Sequence, residues 1–218
     1  MNTTSIKLMG MAAVVAFTMS CKDAQNEVEA TAAEAEAQAT VESVTYKVDT
    51  AASNIAWVGS KPTADHTGNI SVTSGMVTVN GESLESGEFT IDMKSIEVTD
   101  IEGEGAMKLK NHLSGTVEGT ETDFFNVNKY PTAKFVVTGI EGNMLSGNLT
   151  LKEVTKNVTF PVTVAYDGDK MMLDSETFTI NRTDWGGIKY GSQTFSDKVL
   201  DSAIADDIKL TVNLVATK

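Results

Sequence analysis

The 218-residue chain is poor in the side chains that carry most protein chemistry, with one cysteine, Cys21, and two histidines, His66 and His112. A single cysteine forms no disulfide within a chain, and there is no Cys-X-X-Cys pair or Cys/His cluster to hold zinc. Cations are also scarce: 17 Lys and Arg stand against 30 Asp and Glu, a formal net charge of -13. Binding a phosphate backbone needs clustered cations, so no nucleic-acid partner is expected. An acidic surface of this kind serves solubility. Three prolines and 6% aromatics, beside 41% hydrophobic residues, exclude both a disordered and a collagen-like chain. Catalytic signatures are missing as well: there is no GxSxG, no HExxH and no Walker loop. Ser/His/Asp chemistry would have to use His66 or His112, and neither sits in a recognisable motif. Carboxylate pairs are too common in so acidic a chain to mark a site. No enzymatic activity is expected, no metal, and no cofactor apart from whatever lipid the fold can hold.

The N-terminus reads as an address. Lys7 supplies a weak positive region, and LMGMAAVVAFTMS (Leu8 to Ser20) is an apolar run too short to span a bilayer comfortably. It ends at Cys21 and resembles a bacterial lipoprotein signal, although Thr18 and Met19 depart from the usual pattern. In that reading residues 1–20 are removed and Cys21 is acylated, giving an exported cell-envelope lipoprotein. It would sit on the outer membrane, facing the periplasm or the cell surface. An ordinary secretory signal and an uncleaved anchor remain alternatives. Residues 21–43 continue as an Ala/Glu-rich stretch without an apolar stripe for docking. They are expected to form a flexible acidic tether.

From Val44 onward short apolar/polar alternations recur, and they make up a third segment, residues 44–218. Phe89, Ile91 and Met93 share one face of EFTIDMKSIEV, and Val158, Phe160, Val162 and Val164 alternate in NVTFPVTVAY. IKLTVNLVA ends the chain with Ile208, Leu210, Val212 and Leu214 on one face. Glu141-Gly142-Asn143 and Asp167-Gly168-Asp169 are suited to tight antiparallel connections. Many evenly spaced strands predict an all-β sandwich or closed barrel, and closure removes exposed edges. One stretch breaks the pattern: GEGAMKLKNHLSG puts Ala106, Leu109 and Leu113 at helical spacing, with Gly115 as a stop. This predicts a short helix over a barrel mouth, with a second helical turn over Glu121 to Phe125.

Three ordered stretches carry a resemblance. In residues 112–135, Asp123, Phe124, Phe125, Tyr130, Pro131 and Phe135 follow the predicted helix. Residues 146–162 read SGNLTLKEVTKNVTFPV, and residues 178–188 read FTINRTDWGGI. Together they resemble the YceI family from about Val44 to the end. That resemblance implies an extended antiparallel, lipocalin-like barrel of about eight strands. It also implies an elongated apolar cavity for a long isoprenoid or fatty-amide lipid, carried or stored in the envelope. No catalytic residues follow from it. Two departures stand out, the insertion VEGTE before Phe124 and the aromatic stretch Trp185 to Gly191.

On this resemblance the candidate ligand-binding residues are Trp57, His66, Phe89, Ile91, Phe124, Tyr130, Phe135, Phe160, Arg182, Trp185 and Tyr190. Tyr130, Trp185 and Tyr190 suit a rim. Arg182 could meet a head group or pair with Asp184 or another nearby carboxylate. His66 could hold a head group or make a rim hydrogen bond, and Phe124 and Phe125 could anchor the helix. The alternative role is a scaffold whose rim loops bind a protein, without lipid. The residues leave the oligomeric state open, a dimer included.

Overall fold

The computed structural model describes residues 26–192 and 204–218. The signal-like segment and Cys21 lie outside the described residues. The strands in chain order are β1 (Thr31–Ala32), β2 (Val44–Val48), β3 (Asn54–Lys61), β4 (Ala64–Ile70), β5 (Val72–Asn80), β6 (Ser83–Asp92) and β7 (Glu97–Val98). They continue as β8 (Thr132–Glu141), β9 (Met144–Leu151), β10 (Val154–Asp167), β11 (Lys170–Ser175), β12 (Phe178–Asn181) and β13 (Asp207–Thr217).

These strands combine into eight staves of a closed antiparallel barrel. β2 and β3 lie in line along one side of β13, while β11 and β12 lie in line along its other side. β4 and β5 form a third composite stave, pairing with β3 and β2 respectively. From β5 the order runs through β6, β8, β9 and β10 to β11, each stave hydrogen-bonded to the next in sequence. Every stave thus follows its neighbour in the chain, and β13 closes the ring.

The alternation read from the sequence explains the wall. Along β13, Ile208, Leu210, Val212 and Leu214 line the interior, while Lys209 and Asn213 lie between them on the other face. The β8–β9 and β10–β11 turns place Gly142 and Gly168 at φ 60°, a conformation that favours glycine. The β9–β10 turn reaches the same geometry without glycine, through Lys152 at φ 47° and Glu153 at φ 67°. Positive φ at both central residues matches the right-handed twist of the flanking strands.

The barrel has a filled end and a mouth. At the filled end, Tyr46, Val77, Val79, Leu84, Val137, Met171 and Ala216 are buried. Over the mouth lies α1 (Gly103–Ser114), which ends where Gly115 turns left-handed and donates its N–H to His112 O. Residues 121–125 form a turn rather than the second helical turn expected from the sequence. Their peptide groups are spent on a loop that returns to the helix, with Phe125 N–H on Leu113 O and Val127 N–H on Ser114 O. Among the described residues no helix is long and apolar enough to cross a membrane.

The segment expected to be a flexible tether is, from Asn26 onward, a strap laid across the outside of the barrel. Thr179 N–H donates to Asn26 O, and Val28 N–H donates to Thr179 O. Thr31 and Ala32 then pair with Asn157 and Lys156 of β10. Glu34 exchanges two hydrogen bonds with the Asn148 amide, at 3.0 and 2.8 Å. Ala37 N–H donates to Val137 O, and Thr40 N–H donates to the Glu85 carboxylate at 2.8 Å. An apolar stripe was therefore not needed for docking. The strap is held through its backbone, largely by polar groups that the outer wall presents.

Candidate ligand cavity

The interior between the filled end and α1 is a cavity of about 290 Å³. It reaches along β13 from Ile208 near the mouth to Leu214, a span of about 20 Å at the usual strand rise. Leu145, Val158, Leu173 and Leu214 line its depth, and Leu109 and Leu113 of α1 roof the mouth. Across one side runs an aromatic arc. Phe89, Phe135, Phe160 and Phe178 have neighbouring ring centroids 6.3, 5.7 and 4.1 Å apart. The arc depends on Gly147, where an added Cβ would lie 2.1 Å from Phe135 Cζ.

Polar groups gather at the mouth. Gly59, Ser60, Lys61, His66 and Asp207 border the cavity there. His66 Nδ1 lies 2.8 Å from Asp100 Oδ2, and Thr67 N–H donates to Asp100 Oδ1 at 2.8 Å. Burial opposes the charge on Asp100, but the Thr67 and His66 hydrogen bonds outweigh it and hold the carboxyl below the usual aspartate range. His112 Nε2 lies 2.8 Å from Asp123 Oδ2. Its ring meets Phe124 and Tyr190 edge-on, with centroids 5.1 and 4.8 Å apart. Asp100 stands just before α1 and His112 in its last turn, so the two pairs tie down both ends of the helical segment.

Lys152 joins two mouth loops. Its ammonium donates to Phe124 O at 2.6 Å and Gly187 O at 2.9 Å. Burial, with Lys129 nearby, lowers its pKa below the ordinary lysine value. Among the described residues no three His, Cys, Asp or Glu side chains converge to hold a metal.

The structure brings together Trp57, His66, Phe89, Ile91, Phe124, Phe135, Phe160 and Arg182 on the cavity wall. None of the three aromatics assigned to a rim lines the cavity itself. Trp185 is fully buried behind the wall, with its Nε1–H on Leu149 O at 3.0 Å. Tyr130 sits beside the Lys129 and Lys152 ammonium groups, 4.8 and 5.9 Å from its ring centroid. Tyr190 is half exposed and caps His112. Arg182 is buried with its donors on protein carbonyls: Ala205 O, Ile188 O, Tyr190 O and Ile204 O, at 2.8 to 3.3 Å. Its carboxylate neighbour is Asp206, at 3.6 Å, and not Asp184. Burial lowers the Arg182 pKa, and Asp206 partly offsets this. Sequence reasoning passed over Leu145, Leu149 and Leu173. The alternation in MLSGNLTL was the available signal for the first two.

Comparison with known proteins agrees with this architecture. The YceI-like domain model matches residues 46–216. A UPF0312 protein of Pseudomonas putida strain W619 is 33% identical over 123 residues, covering 51% of this chain and 58% of the relative. The protein of strain GB-1 is 32% identical over the same length. The chain thus spans somewhat more than half the length of these relatives. The crystal structure of Burkholderia cenocepacia BcnA superposes with a TM-score of 0.58 at 27% identity, covering 78% of this chain and 99% of that one. A polyisoprenoid binding domain from Saccharophagus degradans, implicated in plant cell wall breakdown, superposes at 0.54 with 17% identity, covering 79% and 97%. At that identity the second likeness speaks for the fold alone. With the domain matched over nearly the whole barrel, the chain belongs to the YceI-like family.

Proposed function

We propose that the protein binds one long apolar lipid, an isoprenoid or acyl chain, inside the barrel and serves as its carrier or reservoir in the cell envelope. The observation that carries this reading is the cavity itself. It is elongated, apolar along its depth, closed at one end and roofed by a single short helix at the other. A filled barrel would have favoured the scaffold reading instead. The name of the Saccharophagus degradans neighbour, a polyisoprenoid binding domain, points the same way. Each CH₂-sized group moved from water into such a cavity contributes about 0.8 kcal/mol before ordering costs, so a chain binds with few polar contacts. In this reading Cys21 is acylated and holds the barrel at a membrane surface.

Native mass spectrometry after mixing the protein with prenyl lipids and fatty amides tests the proposal. The expected result is one lipid per chain, retained in competition with detergent. A barrel that stays empty with every long-chain lipid offered overturns it.

A further inference from the structure

The helix that roofs the cavity is fastened unequally at its two ends. At its C-terminal end, Phe125 N–H donates to Leu113 O at 3.1 Å and Val127 N–H to Ser114 O at 2.9 Å. His112 Nε2 lies 2.8 Å from Asp123 Oδ2, and its ring packs edge-on against Phe124 and Tyr190. Gly115 is pressed into the following loop, where an added Cβ would lie 3.1 Å from Asn126 Cα and 3.2 Å from Glu121 Cα. The N-terminal end is bare by comparison. Its N-cap residue, Glu102, makes no side-chain cap, and an added Cβ at Gly103 would meet nothing within 4 Å. Glu104, Met107 and Lys108 are exposed, and the Glu104–Lys108 ion pair stays within the helix. Gly103 and Gly105 also weaken the first turn's own helical tendency. Among the described residues, the hydrogen bonds that fasten this end lie just before the helix. Asp100 accepts from Thr67 N–H, its other oxygen meets His66 Nδ1, and Thr99 N–H donates to Thr67 O.

We propose that α1 is the flap of a portal. It pivots on its C-terminal turn, the Asp100 clasp on His66 and Thr67 is its latch, and a lipid passes between its N-terminal half and the β3–β4 hairpin. This rests on the lipid-binding reading above and adds the route to it. The lever follows from helix geometry. Gly103 and Gly115 lie about 18 Å apart at the usual rise per residue, so a tilt moves the N-terminal turn farthest. Leu109, midway along, lifts off the mouth, while Leu113 stays close to the pivot. The hairpin residues Gly59, Ser60, Lys61 and His66 border the cavity on the latch side. Opening there gives up the latch and the cover of Leu109, and it leaves the pairing of the barrel staves intact. Opening at the other end would break the loop bonds and the His112 contacts together. The weakly held end is thus the one that moves.

Release of a bound fluorescent long-chain lipid to empty vesicles is compared in wild type, Asp100→Ala and Asp123→Ala, all in the full chain. Asp100→Ala removes the acceptor of both latch bonds and is expected to speed release several-fold. Asp123→Ala removes one contact among several at the pivot and should leave release nearly unchanged. A second measurement needs no lipid. In a Cys21→Ser background, spin labels at Thr63→Cys, on the tip of the β3–β4 hairpin, and Glu104→Cys, on the first turn of α1, report their separation. Asp100→Ala is expected to add a longer-distance population that Asp123→Ala lacks. If Asp100→Ala fails to fold, His66→Leu breaks the same pair from its other side and carries the same expectations. Equal acceleration by the latch and pivot substitutions, or a label separation that ignores loss of the latch, overturns the proposal and leaves lipid binding intact. If no long-chain lipid enters wild type, the lipid-binding reading fails, and the label separations alone decide whether the flap exists.

Discussion

The guanidinium of Arg182 borders the cavity, but its hydrogen bonds go to Ile188, Tyr190, Ile204 and Ala205. Those carbonyls belong to the two chain segments that converge on the mouth. A planar fork meets several fixed carbonyls at once, whereas an ammonium on a flexible stem does not. Arg182→Lys keeps the charge and loses the fork. It is expected to destabilise the fold by about 2–3 kcal/mol, a drop of roughly 4–12 °C in Tm for a chain of this size. Affinity for an uncharged prenyl lipid should change little. A large loss of affinity at unchanged Tm would assign Arg182 to the head group instead. The sequence pointed to Arg182, but its partners are backbone carbonyls of two irregular segments, for which side-chain spacing is silent. The aromatic wall was easier to read, because Phe89, Phe135 and Phe160 sit in alternating strands. Gly147 was not, since its meaning depends on the Phe135 ring lying across from it.

At the scale of elements, the staves followed from alternation and turn chemistry, and α1 from the spacing of Leu109 and Leu113. The strap did not, because it docks through backbone groups and the outward amide of Asn148, which the Asn157 amide orients, rather than through a periodic face. Its far end is fastened to Glu85, whose carboxylate accepts from the Ser43 hydroxyl and from Thr40 N–H and Oγ1. The Ser43 bond first, then Thr40, holds Glu85 below the ordinary glutamate range. A carboxyl with a depressed folded pKa stabilises the folded arrangement above its unfolded value and loses that contribution as pH falls through the folded one. The strap's end is therefore expected to loosen on acidification from about pH 6 to about pH 3. Amide-exchange protection at Ala37 and Thr40, corrected for intrinsic rates, should fall while that of β13 holds. Glu85→Gln should show weak protection at both pH values. Protection at Thr40 that ignores both pH and the substitution would remove Glu85 from this role.

For the whole molecule, the strap would fix how a barrel anchored through Cys21 stands on a membrane. It runs from Thr179, level with Lys209 near the mouth, to Glu85 and the start of β2, where Val44 pairs with Val79 at the filled end. Asn26, its first described residue, is thus bound to the mouth half of the barrel. Four residues lie between Cys21 and Asn26, and the five steps from one Cα to the other reach at most about 18 Å. If Cys21 carries the acyl anchor, the mouth rather than the filled end is held next to the bilayer, and a lipid crosses little water on entry. Inserting a flexible Gly/Ser spacer of about 20 residues between positions 24 and 25 lifts that constraint, since such a chain spans roughly 25 Å on average and more at full stretch. Transfer of a fluorescent prenyl lipid from vesicles to the acylated protein should slow several-fold, while affinity in solution stays the same. Cys21→Ser, which frees the barrel altogether, should slow transfer at least as much. Transfer as fast with the spacer as without it would mean that the strap anchors the chain but does not aim the mouth.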